Sequence, residues 1–184
     1  MDLPLPDGPA AEPVPAAVLA QRAIRALELQ PPAARISADT QGYVGVPLWL
    51  WVEGGPEASG PVSATAAAGA SAVTATGRLS GVEWEMGPPG ALVRCAGTGT
   101  PWTGQSGPSP DCGFTYTQRS TPERTGGVGW WPVTVTAVWQ VTWEGVTGGV
   151  PVAGEQTLLL ASAAELVVGE VQVLVDGSGG GGTR

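Results

Sequence analysis

Residues 130–145 read WWPVTVTAVWQVTWEG. Trp131, Val133, Val135, Ala137, Trp139, Val141 and Trp143 share one parity, and Thr134, Thr136, Gln140 and Thr142 share the other. A period of two held this long predicts one long strand with its apolar face in a core and its threonine face toward solvent. Residues 82–90, VEWEMGPPG, repeat the pattern and then break it. Val82, Trp84 and Met86 alternate with Glu83 and Glu85, after which two glycines bracket two prolines. Gly87 and Gly90 can take positive φ while Pro88 and Pro89 have theirs locked, so a strand is predicted to turn back sharply into the next one.

Other segments extend the sheet. YVGVPLWLWV (43–52) is apolar on both parities, and Pro47 argues for an edge position or a bulge. SAVTATGRLSG leads into the 82–86 alternation, while EQTLLLAS (155–162) and ELVVGEVQVLV (165–175) are expected as two further strands, with Gly169 as a bend. Ahead of them lies VPAAVLAQRAIRALELQPP (14–32), rich in helix formers and ended by Pro31 and Pro32. Val18, Leu19, Ala23, Ile24 and Leu27 fall on one face of that helix, which is expected to pack on its own domain. Leu19, Ile24 and Leu27 also form a candidate partner-docking face. The organisation expected is an extended Pro/Ala-rich arm over 1–15, an amphipathic helix over 16–30, a β-sandwich over 36–175 and a Gly-rich tail over 176–184. The fold class is mainly β: an antiparallel sandwich with one short N-terminal α-helix.

Composition closes off much chemistry. The chain carries 8 Lys+Arg against 16 Asp+Glu, a net charge of -8, and every basic residue is an arginine. Such a surface repels polyphosphate, so nucleic acid is not an expected partner. With no histidine there is no Ser-His-Asp or Cys-His unit and no imidazole metal ligand. With no lysine there is neither a Schiff base nor a phosphate-loop cation, and with no asparagine there is no N-glycosylation acceptor. Neither catalysis nor a cofactor or metal is expected. No apolar run approaches the roughly 20 residues of a membrane-spanning helix, and no membrane insertion is expected. Cys95 and Cys112, with no histidine to activate either thiol, are read as a disulfide, which persists in an oxidising compartment. The opening MDLPLPDGPA has no signal-peptide pattern, so a secreted or cell-surface location implies a processed chain carrying an added Met1.

Three motifs occur in order: Trp84-Glu85-Met86-Gly87, then Phe114 and Tyr116 in CGFTYTQ, then Val133 to Val135 opening a long Thr/Val strand. This order resembles the PKD-like branch of immunoglobulin-like sandwiches, most strongly over 62–175, and is similar to exported actinobacterial proteins of unknown function. The resemblance implies an exported sandwich. Where the family has a second acidic residue in its turn, this chain has Pro88 and Pro89, so the turn is read as structural.

Glu83 and Glu85 point to one face of their strand, as a carboxylate pair for glycoside hydrolysis or calcium would, but a solvated outer face accounts for them. Six of the 8 tryptophans lie on predicted strands and are assigned to the core. Trp102 and Trp130 lie in loops and are the candidate contact residues. The expectation is a non-catalytic module acting in protein–protein binding or self-assembly. The alternative is a carbohydrate-binding module that stacks sugars on Trp102 and Trp130.

Overall fold

The computed structural model describes residues 14–38 and 41–171. Residues 1–13 of the predicted arm, the Gly-rich tail and the end of the 165–175 strand lie outside the described residues. The described elements are α1 (Ala16–Arg25), β1 (Ala33–Ile36), β2 (Gly42–Tyr43), β3 (Pro47–Glu53), β4 (Val62–Ala68), β5 (Ser71–Glu85), β6 (Leu92–Cys95), β7 (Gly113–Thr115), β8 (Trp131–Thr147), β9 (Val150–Leu166) and β10 (Val168–Gly169).

The long alternating run is β8, and it organises the larger sheet. Its order is β4-β5-β8-β9, with β6 pairing beside β4 on the same flank of β5, and every pairing in it is antiparallel. β8 and β9 meet at Gly148-Gly149, both at positive φ, as a two-residue hairpin turn requires. A bulge between Leu79 and Gly81 is the one register shift along β5 and β8. There Gly81 passes so close to β6 that a Cβ would sit 2.8 Å from the Cys95 carbonyl oxygen.

Two different layers cover the inner face of this sheet. Over one half lies a small antiparallel sheet, β1-β3-β7, whose Leu48, Leu50 and Val52 pack on Val82, Trp84, Met86, Trp131, Val133 and Val135. Over the other half lies α1. Its Ala23 and Ile24, with Leu27 just beyond, pack on Ala75, Ala137, Trp139 and Val141, and its Leu19 and Ala20 pack on Val73. The result is a mainly β sandwich in which the helix completes the second layer rather than standing beside it. Trp84, Trp131 and Trp139 are buried without a partner for their indole N–H groups, so they contribute area and shape but no hydrogen bond.

The helix is shorter than the composition predicts. It ends at Arg25, well before the prolines, because Glu28 takes a φ of 51° and reverses the chain. The reversal drops Leu27 and Leu29 over Gly77, where a Cβ would stand 3.5 and 3.6 Å from their methyl groups. Burial of two leucines outweighs the helix preference of the segment.

Two strand expectations also change. β3 lies inside its sheet, between β1 and β7, not at an edge; Pro47 is tolerated because it is the first residue of the strand, where only β7 pairs. The two strands expected over 155–175 begin instead as one continuous β9, paired one-to-one with β8 from Trp131↔Leu166 to Thr147↔Val150. Gly169 belongs to β10, which runs parallel to β2.

The turn at 87–90 forms as read. Gly87 and Gly90 have φ of 98° and 76°, and the Met86 N–H donates to the Ala91 carbonyl at 2.8 Å. The buried Tyr116 hydroxyl donates to the Met86 carbonyl at 2.7 Å, so the second motif holds the first. Burial pushes the Tyr116 hydroxyl far above its ordinary pKa and keeps it a donor.

Candidate functional site

Cys95 and Cys112 are bonded, with their α-carbons 5.5 Å apart. The bridge ties the end of β6 to a loop running beside β3: Leu50 N–H donates to the Cys112 carbonyl at 3.0 Å and Val52 N–H to the Thr98 carbonyl at 2.7 Å. Inside that loop Asp111 accepts from the Thr100 N–H at 3.1 Å, the Thr100 hydroxyl at 2.9 Å and the Ser109 hydroxyl at 3.1 Å. Partial burial pushes its carboxyl upward, but these donors together hold it below the usual carboxylate value.

Trp102 sits half-buried in the same loop, with its indole N–H donated to the Gln105 carbonyl at 2.8 Å. It helps line a cleft of about 300 Å³ with Tyr43, Val46, Trp49, Gln41 and Gln105. Trp49 is nearly buried, its N–H donated to the Gly107 carbonyl at 2.9 Å. Trp130 is also half-buried and does not line this cleft, so the two loop tryptophans do not share one platform.

The helix residues named as a docking face are not on the surface. Leu19, Ile24 and Leu27 are 0%, 6% and 9% exposed, because the apolar face of α1 is consumed by its own sheet. Their assignment as a contact surface is corrected. What α1 shows to solvent is Ala17, Val18, Gln21, Arg22 and Arg25.

Glu83 and Glu85 do not form a working pair. Glu83 accepts from Arg94 at 2.7 Å across the β5–β6 register, while Glu85 is exposed opposite Leu92. Among the described residues no three Asp, Glu or Cys side chains gather as a metal would require. An apolar cavity of about 260 Å³ lies where α1 gives way to β1, lined by Leu27, Leu29, Val52, Leu79, Ala137 and Trp139. It marks the seam between the two covering layers.

The feature that sequence reasoning missed is the edge of the large sheet. β9 is its outermost strand and runs 17 residues without a bulge. Every second residue therefore turns its N–H and C=O away from β8, and among the described residues no strand meets them. The usual protections of an edge are sparse: Pro151 stands at its start, it carries no Lys or Arg, and Glu155 and Glu165 are its only charges. Leu159, at its middle, is 65% exposed, more than any other large apolar side chain among the described residues. The opposite flank is broken into two short strands, β4 and β6. The signal for β9 was weak because LLLASAAEL is made of residues that favour helix. In comparisons with protein-family models, with curated proteins and with solved structures, nothing matches this chain.

Proposed function

We propose that the protein is a non-catalytic, exported or cell-envelope module of PKD-like type that works by protein–protein assembly, adding a partner strand along β9. The observation that carries this reading is the 17-residue edge left unpaired among the described residues, a template that folded proteins ordinarily shorten, cover or charge. The disulfide supports an oxidising location. The absence of histidine and lysine from the chain supports a role without catalysis. The Tyr116 hydrogen bond to the Met86 turn supports the likeness to PKD-like sandwiches, since it joins two of the three motifs on which that likeness rests.

The test is photo-cross-linking in the producing cell. A photoreactive residue at Thr157 or Ala161 is expected to give covalent protein adducts, and one at Thr65 on β4 is not. Absence of adducts from both β9 positions would contradict assembly through this edge.

The cleft with Trp102, Trp49 and Tyr43 favours one second reading, a saccharide site, because aromatic rings stand there beside the amides of Gln41 and Gln105. That reading predicts retention on an insoluble polysaccharide, reduced at least tenfold by Trp102→Ala. The assembly reading predicts that the protein stays in the supernatant.

A further inference from the structure

Resting on the strand-addition reading, we propose that the occupant of the β9 edge is β9 of a second copy, paired antiparallel about a twofold axis at Leu159. Leu158, Leu159 and Leu160 are consecutive and lie at the middle of the strand, with smaller or polar residues for several positions on either side. In an antiparallel pair across such an axis, residues whose numbers have a constant sum stand opposite each other on the same face.

Centring on Leu159 sets Leu159 against its own mate on the outer face. On the inner face, Leu158 stands opposite Leu160 of the second copy, and the reverse pair follows by symmetry. Both of those leucines are only partly buried against the α1 core in the single chain. Further out, Gln156 stands opposite Ser162, each already bonded within its own chain, to Gln21 and to the Pro32 carbonyl, and Val152 meets Leu166. Glu155 meets Ala163 and Glu165 meets Ala153, so no carboxylate faces another.

Neighbouring registers are worse. Centring on Leu160 sets Glu155 opposite Glu165 twice, in a chain whose net charge is already -8. Centring on Leu158 sets Leu159 opposite Thr157 and Leu160 opposite Gln156, which gives up the apolar matches. The leucine triplet and the two glutamates therefore select one register. The assembly also closes. Each copy uses the one long edge among its described strands, and the flank left over is made of β4 and β6, 7 and 4 residues long, so the contact forms a dimer and not a fibre.

Sedimentation equilibrium of the full chain over a wide concentration range tests this. The expected result is a mass rising from 18.5 kDa to twice that value. Leu159→Glu, at an exposed outer-face position, is expected to leave the circular dichroism of the dilute protein unchanged and to raise the dimer dissociation constant at least tenfold. Because both native cysteines are bonded to each other, Leu159→Cys is expected to cross-link to itself under mild oxidation, while Ala163→Cys, whose mate is Glu155, is not. An 18.5 kDa species at every concentration overturns the dimer; if photo-cross-linking from β9 still captures a different protein, the strand-addition reading stands without it. A dimer unaffected by Leu159→Glu overturns the register and the surface together. A monomer with slowly exchanging outward β9 amides assigns the edge to another segment of the same chain and equally overturns the proposal.

Discussion

Trp84→Ala is expected to destabilise the protein by about 3–5 kcal/mol, read as a lower urea midpoint at unchanged slope. Trp84 is fully buried at the point where three elements meet. Its neighbours in register are Val135 on β8 and Val93 on β6, and it packs in the same cluster as Leu48 and Leu50 of the covering sheet. Truncation empties the contact between the two layers at a place where the surrounding strands are fixed by pairing and cannot collapse inward. Trp84→Phe is the informative companion. The indole N–H has no partner, so phenylalanine discards no hydrogen bond, and its cost is expected to be well under half that of alanine.

The second large effect concerns the bridge. Replacing both Cys95 and Cys112 by serine is expected to cost about 3 kcal/mol in the chain-entropy account, a fall of roughly 6–12 °C in Tm for a chain of this size. The loss is local in its origin. The bridged loop lies along β3, where Gly99 comes so close to the Leu50 carbonyl that no side chain fits, and it supplies the acceptors for Leu50 and Val52. Thermal melts with and without reductant read the effect directly. Equal Tm values would mean that the loop's bonds to β3 and the Asp111 and Thr100 contacts hold it without the bridge.

Much of the sandwich was legible in its residues. β8 could be read from its alternation, because one face had to be Trp, Val and Ala and the other Thr and Gln for a half-buried strand. The 87–90 turn could be read because two glycines and two prolines leave the backbone few other conformations. The pairing of Cys95 with Cys112 followed from there being no other cysteine.

The remainder depended on partners that local sequence does not show. An amphipathic face reads the same whether it covers its own sheet or a neighbour's; the expected packing of the helix on its own domain holds, with α1 on Val73 and Trp139, and it leaves Leu19, Ile24 and Leu27 no part in a docking face. The unbroken length of β9 is not visible in its own residues, since Ala and Leu favour helix; continuous pairing with β8 overrides that preference. Pro47 suggested an edge, yet a proline at the first residue of a strand satisfies the same constraint inside a sheet. The candidate contact edge followed the same rule: it is defined by what β9 lacks on one side, and a strand's neighbours are not written in its own residues.

Site-resolved amide hydrogen exchange of the full chain, dilute and concentrated, tests whether β9 pairs with β9 of a second copy. Alternate amides between Val150 and Leu166, those turned away from β8, are expected to exchange rapidly in dilute protein and to slow down on concentration, while the β4 edge is unchanged. Outward β9 amides that exchange equally fast at every concentration would contradict that pairing.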